Sequence, residues 1–264
     1  MNEENYQRVY RQSYERAMAA LVPARTETYS PVSHTQVLDA VNSNLVTNNL
    51  NIIGRRMYLN GFGTKMVGFM DIETEIGKQH GLKMMLGYRN SYDKSMSVAF
   101  VTGATVWICG NGLIGGDVLT FKRKHTGNVL EEMNERIQIG VDRMREDFGR
   151  LNLEVNVLKE FSLTPRQKAE VLGVMYFERN LVTPTQLSVI KGELTGSEHF
   201  KEDNAWSLYN NVTESLKKSH PVDMINDHIK VHDFMKEITG MKAETVQIPA
   251  EAEAETENGK SIKG

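Results

Sequence analysis

Two groups of residues have the types and spacing to do chemistry. The run Phe121-Lys122-Arg123-Lys124-His125 ends a strand-rich stretch directly before an expected helix start at Asn128. Cations beside helix N-terminal amides attract phosphate. Arg55, Arg56, Lys65 and Arg89 fall near the ends of other expected strands, and Tyr58, Tyr88 and Tyr92 supply flat rings on which bases can stack. Together they form a candidate site for single-stranded nucleic acid, which needs cations for phosphates and aromatic faces for bases. In a regular strand Lys122 and Lys124 point one way and Arg123 the other, so only a turn or helix start there lets all of them converge. A short charge run also serves simply to keep a surface wet. The second group is His228 and His232, four apart on an expected helix, with His220, Asp227 and Asp233 near in sequence. Two imidazoles at that spacing can share a metal, but no Glu follows His228 as the zinc-protease pattern requires, so a packed or solvent-facing pair is the expectation.

Other chemistry is thinner. Cys109 closes the apolar run Val106-Trp107-Ile108-Cys109 and reads as a buried small hydrophobe rather than a nucleophile. Gly61-Phe62-Gly63-Thr64 and Gly110-Asn111-Gly112 read as hairpin glycines, because neither has the lysine and spacing of a nucleotide cradle. No catalytic triad or carboxylate pair stands out by spacing, so the expectation is a non-enzymatic protein with no cofactor.

The elements that must position these residues follow from periodicity. Residues 4–21 carry Tyr6, Val9, Tyr10, Tyr14, Ala17 and Leu21 at helical spacing, and Ser33 with Gln36 forms a capping box for a second helix carrying Val37, Leu38, Val41 and Leu45. Leu82, Met84, Leu86 and Tyr88 share one face of a strand, and Met96, Val98 and Phe100 share one face of the next, with a turn expected at 90–94. Further strands are expected at 65–72, 105–109 and 117–123, with short spacers that favour antiparallel pairing. From Asn128, a stripe including Met133, Ile137, Val141, Met144, Phe148, Leu151, Val155 and Leu158 predicts one long amphipathic helix. It either covers the sheet or pairs between subunits. Thr164-Pro165-Arg166-Gln167 and Thr183-Pro184-Thr185-Gln186 repeat one helix-start formula, and two more helices are expected at 205–218 and 222–239.

The fold class is therefore α+β: an antiparallel β-meander backed by a long amphipathic helix. The organisation is an N-terminal helical preface (1–50), the sheet with its helix (51–161), a C-terminal helical bundle (162–242) and an acidic tail (243–264).

Composition is that of an ordinary globular protein, 40% hydrophobic and 25% charged over 264 residues. The net charge of -3 is carried by the tail, where Glu244, Glu251, Glu253, Glu255 and Glu257 outnumber Lys260 and Lys263. Too little apolar surface lies there to offset ordering entropy, so the tail is expected to be disordered, either as a solvated terminus or as a competitor for a basic groove. A single cysteine excludes an internal disulfide and a Cys-rich zinc site. The polar start Met1-Asn2-Glu3-Glu4-Asn5-Tyr6 and the absence of a long apolar run predict a cytoplasmic protein with no membrane contact.

Four stretches carry a resemblance. Arg89-Asn90-Ser91-Tyr92-Asp93, Cys109-Gly110-Asn111-Gly112-Leu113, Lys124-His125-Thr126-Gly127-Asn128 and Trp206-Ser207-Leu208-Tyr209-Asn210-Asn211-Val212-Thr213-Glu214 occur in that order. In these the chain resembles the phage/plasmid-like proteins grouped as a domain of unknown function, over roughly Thr35 to Phe234. The resemblance implies mobile-element origin and company with DNA-handling genes, and it brings no assigned activity. In order of elements the chain is also similar to the Rad-fifty-two-like single-strand annealing proteins, in which a β-meander and a long helix hold single-stranded DNA in an oligomeric ring. The expected function is thus nucleic-acid binding in replication, recombination or repair, as a homo-oligomer. The alternative is a protein-interaction or anti-defence role that blocks a host factor.

Overall fold

The computed structural model describes residues 3–27, 29–106, 108, 110–114, 119–120, 129–220 and 223–241. Four antiparallel strands form a meander: β1 (Ile52–Leu59), β2 (Lys65–Ile72), β3 (Leu82–Ser91) and β4 (Ala99–Val106). Two short strands, β5 (Gly112–Leu113) and β6 (Leu119–Thr120), pair with β4. Strand alternation sorts the side chains to two faces. Register puts Met57, Met66, Met70, Leu86, Tyr88, Phe100 and Ala104 on one face, all of them buried. Arg56, Tyr58, Val67, Phe69, Asp71, Met85, Arg89 and Val101 alternate onto the other.

Helices cover the first face. α1 (Glu3–Ala19) packs on β1, and α2 (His34–Thr47) packs beside α4 (Val129–Glu160). The expected capping box is present: Ser33 Oγ accepts from the Gln36 N–H and Gln36 returns the bond to the Ser33 N–H. α4 resolves the alternative left open by its apolar stripe. Met133, Ile137, Val141, Met144, Phe148, Leu151, Val155 and Leu158 are all buried within the chain, and Asp147 accepts from Thr102 Oγ1 of β4 at 2.7 Å. The long helix therefore backs the sheet, each apolar side chain stabilising by about 1.5–3 kcal/mol.

The two Thr-Pro-x-Gln starts open α5 (Pro165–Gly173) and α6 (Pro184–Gly196), each with its capping box formed. α5 runs on into a π-helical turn at Val174–Glu178. α7 (Ala205–Leu216) is buried on nearly every side, because its polar residues bond locally: Ser207 Oγ to Glu202, Thr213 Oγ1 to the Asn210 carbonyl and Ser215 Oγ to the Val212 carbonyl. α8 (Met224–Thr239) passes the sheet edge, so that Met224, Ile225 and Ile229 pack over Val67, Phe69 and Met85 on the second face. One apolar cluster runs through preface, sheet, long helix and C-terminal helices.

Two local expectations are corrected, and one element was not expected. Thr105 and Val106 end β4 rather than begin a new strand, because the chain reverses there: the Gly110 N–H reaches the Val106 carbonyl and the Val106 N–H reaches Asn111. Asn90 and Ser91 belong to β3, which displaces the expected turn toward residues 92–98. A short helix, α3 (Glu75–His80), stands between β2 and β3; Thr74 caps it and Gly81, at φ 69°, closes it. Most of the strand expected at 117–123, the cap at Asn128, Cys109 and the acidic tail lie outside the described residues.

Candidate functional site

Four of the expected site residues share the second face of the sheet. Arg56 and Tyr58 (β1), Lys65 (β2) and Arg89 (β3) all alternate onto it. Arg55 does not: it shares register with Met70 and sits on the helix-covered side, close enough to Tyr10 and Tyr88 to bias both phenols. Lys122, Arg123, Lys124 and His125 lie outside the described residues.

Two of the converging cations already have acidic partners. Arg56 Nη2 donates to Asp71 Oδ1 at 2.8 Å and to Thr105 Oγ1 at 3.0 Å, while its guanidinium lies 5.3 Å over the Phe69 ring. Thr105 Oγ1 also donates to Asp71 Oδ1, so a buried carboxylate is satisfied from two sides. Lys65 pairs with Asp93 at 3.3 Å. Arg89 meets a neutral group, the amide oxygen of Asn226 at 3.4 Å, and burial lowers its pKa from the ordinary value.

Of the three tyrosines, one remains on this face with surface to offer. Tyr88 is 0% exposed, and its ring crosses β2 so closely that a Cβ on Gly68 would lie 2.2 Å from it. Tyr92 stacks on His34 with ring centroids 4.0 Å apart, and its hydroxyl accepts the His34 N–H at 2.8 Å. Neither ring has a free face for a base, which corrects the stacking role expected for them. The first signature stretch instead docks α2: Asn90 Nδ2 donates to the Val32 carbonyl and lies 3.0 Å from His34 Nδ1.

Beside Arg56 and Tyr58 the face sinks into a cavity of about 270 Å³ between β1, β2, the Gly110–Ile114 loop and α8. Phe69, Met85, Ile114 and Met224 form its apolar walls, and Thr213, Lys217 and Ser219 approach from the end of α7. His228 completes it from α8 at 5% exposure. The close approach of this ring explains Gly112, where an added Cβ would come within 3.2 Å of it. Burial first, then the charge of Arg56, push His228 down to about 3, offset in part by its bond to the Gly112 carbonyl. The ring is therefore neutral near neutral pH. Two buried polar atoms in these walls have no partner, Arg56 Nε and His228 Nδ1.

His232, one turn on, does a different job. Its Nε2 meets Glu154 Oε2 at 2.9 Å and its Nδ1 lies 3.3 Å from the Tyr209 hydroxyl, inside the core. Burial alone would raise Glu154, but His232 and Lys236 together hold its carboxyl below the ordinary value. The two histidines thus serve separate environments, and among the described residues no group of three His, Cys, Asp or Glu is placed to hold a metal.

Phe69 in this wall, and Asp71 and Thr105, which hold Arg56, were not among the expected site residues, and His228 was expected only as one of a packed or solvent-facing pair. One signal was present: an aspartate inside the apolar strand Met66–Ile72, two residues from Phe69, had to find a cation on its own face.

Among the described residues no helix is long and apolar enough to cross a membrane. A family model described as a domain of unknown function (DUF932) matches residues 23–253. No curated protein and no solved structure matches the chain.

Proposed function

For a chain that belongs to the DUF932 family, we propose single-stranded nucleic-acid binding at the half-buried cations beside α8 on the second face of the sheet, whose centre α8 covers, in the service of a phage or plasmid. The observation that carries this reading is the gathering of Arg56, Tyr58, Lys65 and Arg89 from three adjacent strands onto one face, beside a cavity lined by further polar groups. Cations bind phosphates without regard to sequence, and an exposed ring stacks any base. Asp71 and Asp93 offset two of the cations, so the phosphate grip on this face falls mainly to Arg89. Binding is accordingly weak and sensitive to salt. Replication, recombination or repair of a mobile element is the setting, and the order of meander and long helix is the ground for the likeness to Rad-fifty-two-like annealing proteins.

Fluorescence anisotropy with an end-labelled single strand, at low and at physiological salt, tests the proposal. Binding that weakens steeply with salt supports it, and no binding at low salt removes it.

A second reading, protein contact, has its own support. Leu21 is 91% exposed at the end of the α1 segment and Phe62 is 92% exposed in the β1–β2 turn. These are neighbouring elements, since Arg16 bonds to the Asn60 carbonyl and Ala20 lies against Gly63. Exposed apolar side chains on neighbouring elements support an association surface there. A second copy of the chain is one occupant and a host factor the other. Sedimentation of the full chain against Leu21→Ser and Phe62→Ser separates them: a monomer in both cases removes the homo-oligomer.

A further inference from the structure

α8 is held in two different ways along its length. Its second half belongs to the main core: Val231, Phe234 and Met235 are buried in the large apolar cluster, and Glu154 of α4 meets both His232 at 2.9 Å and Lys236 at 3.1 Å. Its first half rests on a separate, smaller cluster, where Ile225 is buried and Met224 and Ile229 are half-buried over Val67, Phe69, Met85 and Val101. The polar ties of this half are single hydrogen bonds. Asn226 Oδ1 accepts from Arg89 at 3.4 Å, Asp227 bonds to Ser219 and His228 to the Gly112 carbonyl, and among the described residues none of these is an ion pair.

The start of the helix is weak as well. α2, α3, α5, α6 and α7 each open on a side-chain bond, to Ser33, Thr74, Thr164, Thr183 and Asn204 respectively. α8 opens at Asp223 with helical backbone angles and no side-chain cap bond, so its first turn lacks what a cap contributes. Ile225, Asn226, Asp227, His228 and Ile229 then follow, all of them middling to poor helix formers. The cavity of about 270 Å³ lies between this half and the strands β1 and β2, which leaves the contact incompletely packed.

We propose that the first two turns of α8, Met224 to Lys230, are a removable cover on the sheet: they unfold locally while the second half stays anchored, and so bare Tyr58, Phe69 and Met85 as a platform on which bases of a bound strand stack. The inference rests on the strand-binding reading and supplies the flat surface that Tyr88 and Tyr92 do not offer. Local opening draws on the least stable part of a fold, and here that part is uncapped, poor in helix formers and outside the main core. With the cover closed, the strand meets only the cations beside α8. With it open, bases and the pair Ile225 and Ile229 compete for one surface, so that strand and cover exclude each other.

Two measurements on the full chain test this. Native-state hydrogen exchange compares the amides of His228 to Lys230 with those of Phe234 to Glu237, both sets lying inside the helical ladder. After correction for intrinsic rates the first set exchanges about tenfold faster or more, and faster still when a thymidine strand is added, because the strand holds the cover open. Asn226→Asp, which sets a carboxylate against Arg89 in the first turn, slows the first set and leaves the second unchanged. Anisotropy with the end-labelled strand at low salt then compares the wild type with Ile225→Ser, which binds about tenfold more tightly, since the open form is no longer the minor one. Should that variant fail to fold by circular dichroism, Ile229→Ala moves the affinity in the same direction. Equal exchange along α8, or exchange that the strand slows, overturns the cover. Unchanged or weaker binding by Ile225→Ser, beside a wild type that binds, overturns it too and leaves strand binding standing. No binding by either protein removes the strand reading and the cover's ligand with it, while fast exchange at His228 to Lys230 still supports the opening itself.

Discussion

Asn111 Nδ2 donates to the main-chain oxygen of Asn210 at 3.0 Å, fastening the loop after β4 to the middle of α7. The bond joins two of the signature stretches, Cys109-Gly110-Asn111-Gly112-Leu113 and Trp206 to Glu214, which are far apart in sequence. Gly112 follows directly and carries the carbonyl that His228 uses, so the same tie positions one wall of the cavity.

Asn111→Ala removes this bond, while the Asn210 carbonyl keeps the bond from Thr213 Oγ1. The expected loss is about 0.5–1.5 kcal/mol in urea unfolding, together with a change in the His228 ring signals. A loss of stability without any change at His228 would separate the loop tie from the cavity.

Arg56→Ala strands Asp71, a carboxylate on a buried strand whose charge partner is that guanidinium at 2.8 Å. Breaking such a pair from one side costs about 3–5 kcal/mol. Thr105 still donates to Asp71, which places the loss at the lower end. Replacing both partners, Arg56→Met with Asp71→Leu, recovers most of the stability measured by urea unfolding, since the penalty comes from the unpaired charge.

Tyr88→Phe has the opposite sign. The Tyr88 hydroxyl is buried without a partner, and burial raises its pKa, which keeps it protonated. Deleting it removes an unpaid desolvation, so thermal unfolding is expected to show a neutral to stabilising change of about 0–2 kcal/mol. Gly68→Ala, by contrast, drives a methyl into the same ring and destabilises strongly; combining it with Tyr88→Ala gives less than the sum of the two losses.

Stability falls in mild acid. Burial lowers His34 to about 4, offset in part by its bond to Gly63, and lowers His228 to about 3. Both regain about 6.5 in the unfolded chain. The unfolded state therefore binds more protons below neutrality, and the stability held in full above about pH 7 is lost as pH drops through 6.5 toward the folded values. The expected loss is about 2 kcal/mol per histidine between pH 7 and 5, read from urea midpoints. His34→Gln flattens that slope, because His34 Nδ1 faces the Asn90 amide and has no room for a second proton.

Much of the architecture is legible in the residues alone. The three capping boxes, the apolar stripe of α4 and the alternation from Leu82 to Tyr88 in β3 are local, because each depends on bonds or periodicities within a few residues. That locality is why the α+β order and the strand at Lys65–Ile72 emerge from sequence. The grouping of Arg56, Tyr58, Lys65 and Arg89 depends instead on the register between three strands, and so does the exile of Arg55 to the opposite face, since one residue of offset reverses the side. Burial of Tyr88 and Tyr92, the Arg56–Asp71 pair and the pairing of His228 with a loop more than a hundred residues earlier are set by packing. No local pattern encodes such contacts, because each joins side chains that only the folded core brings within reach.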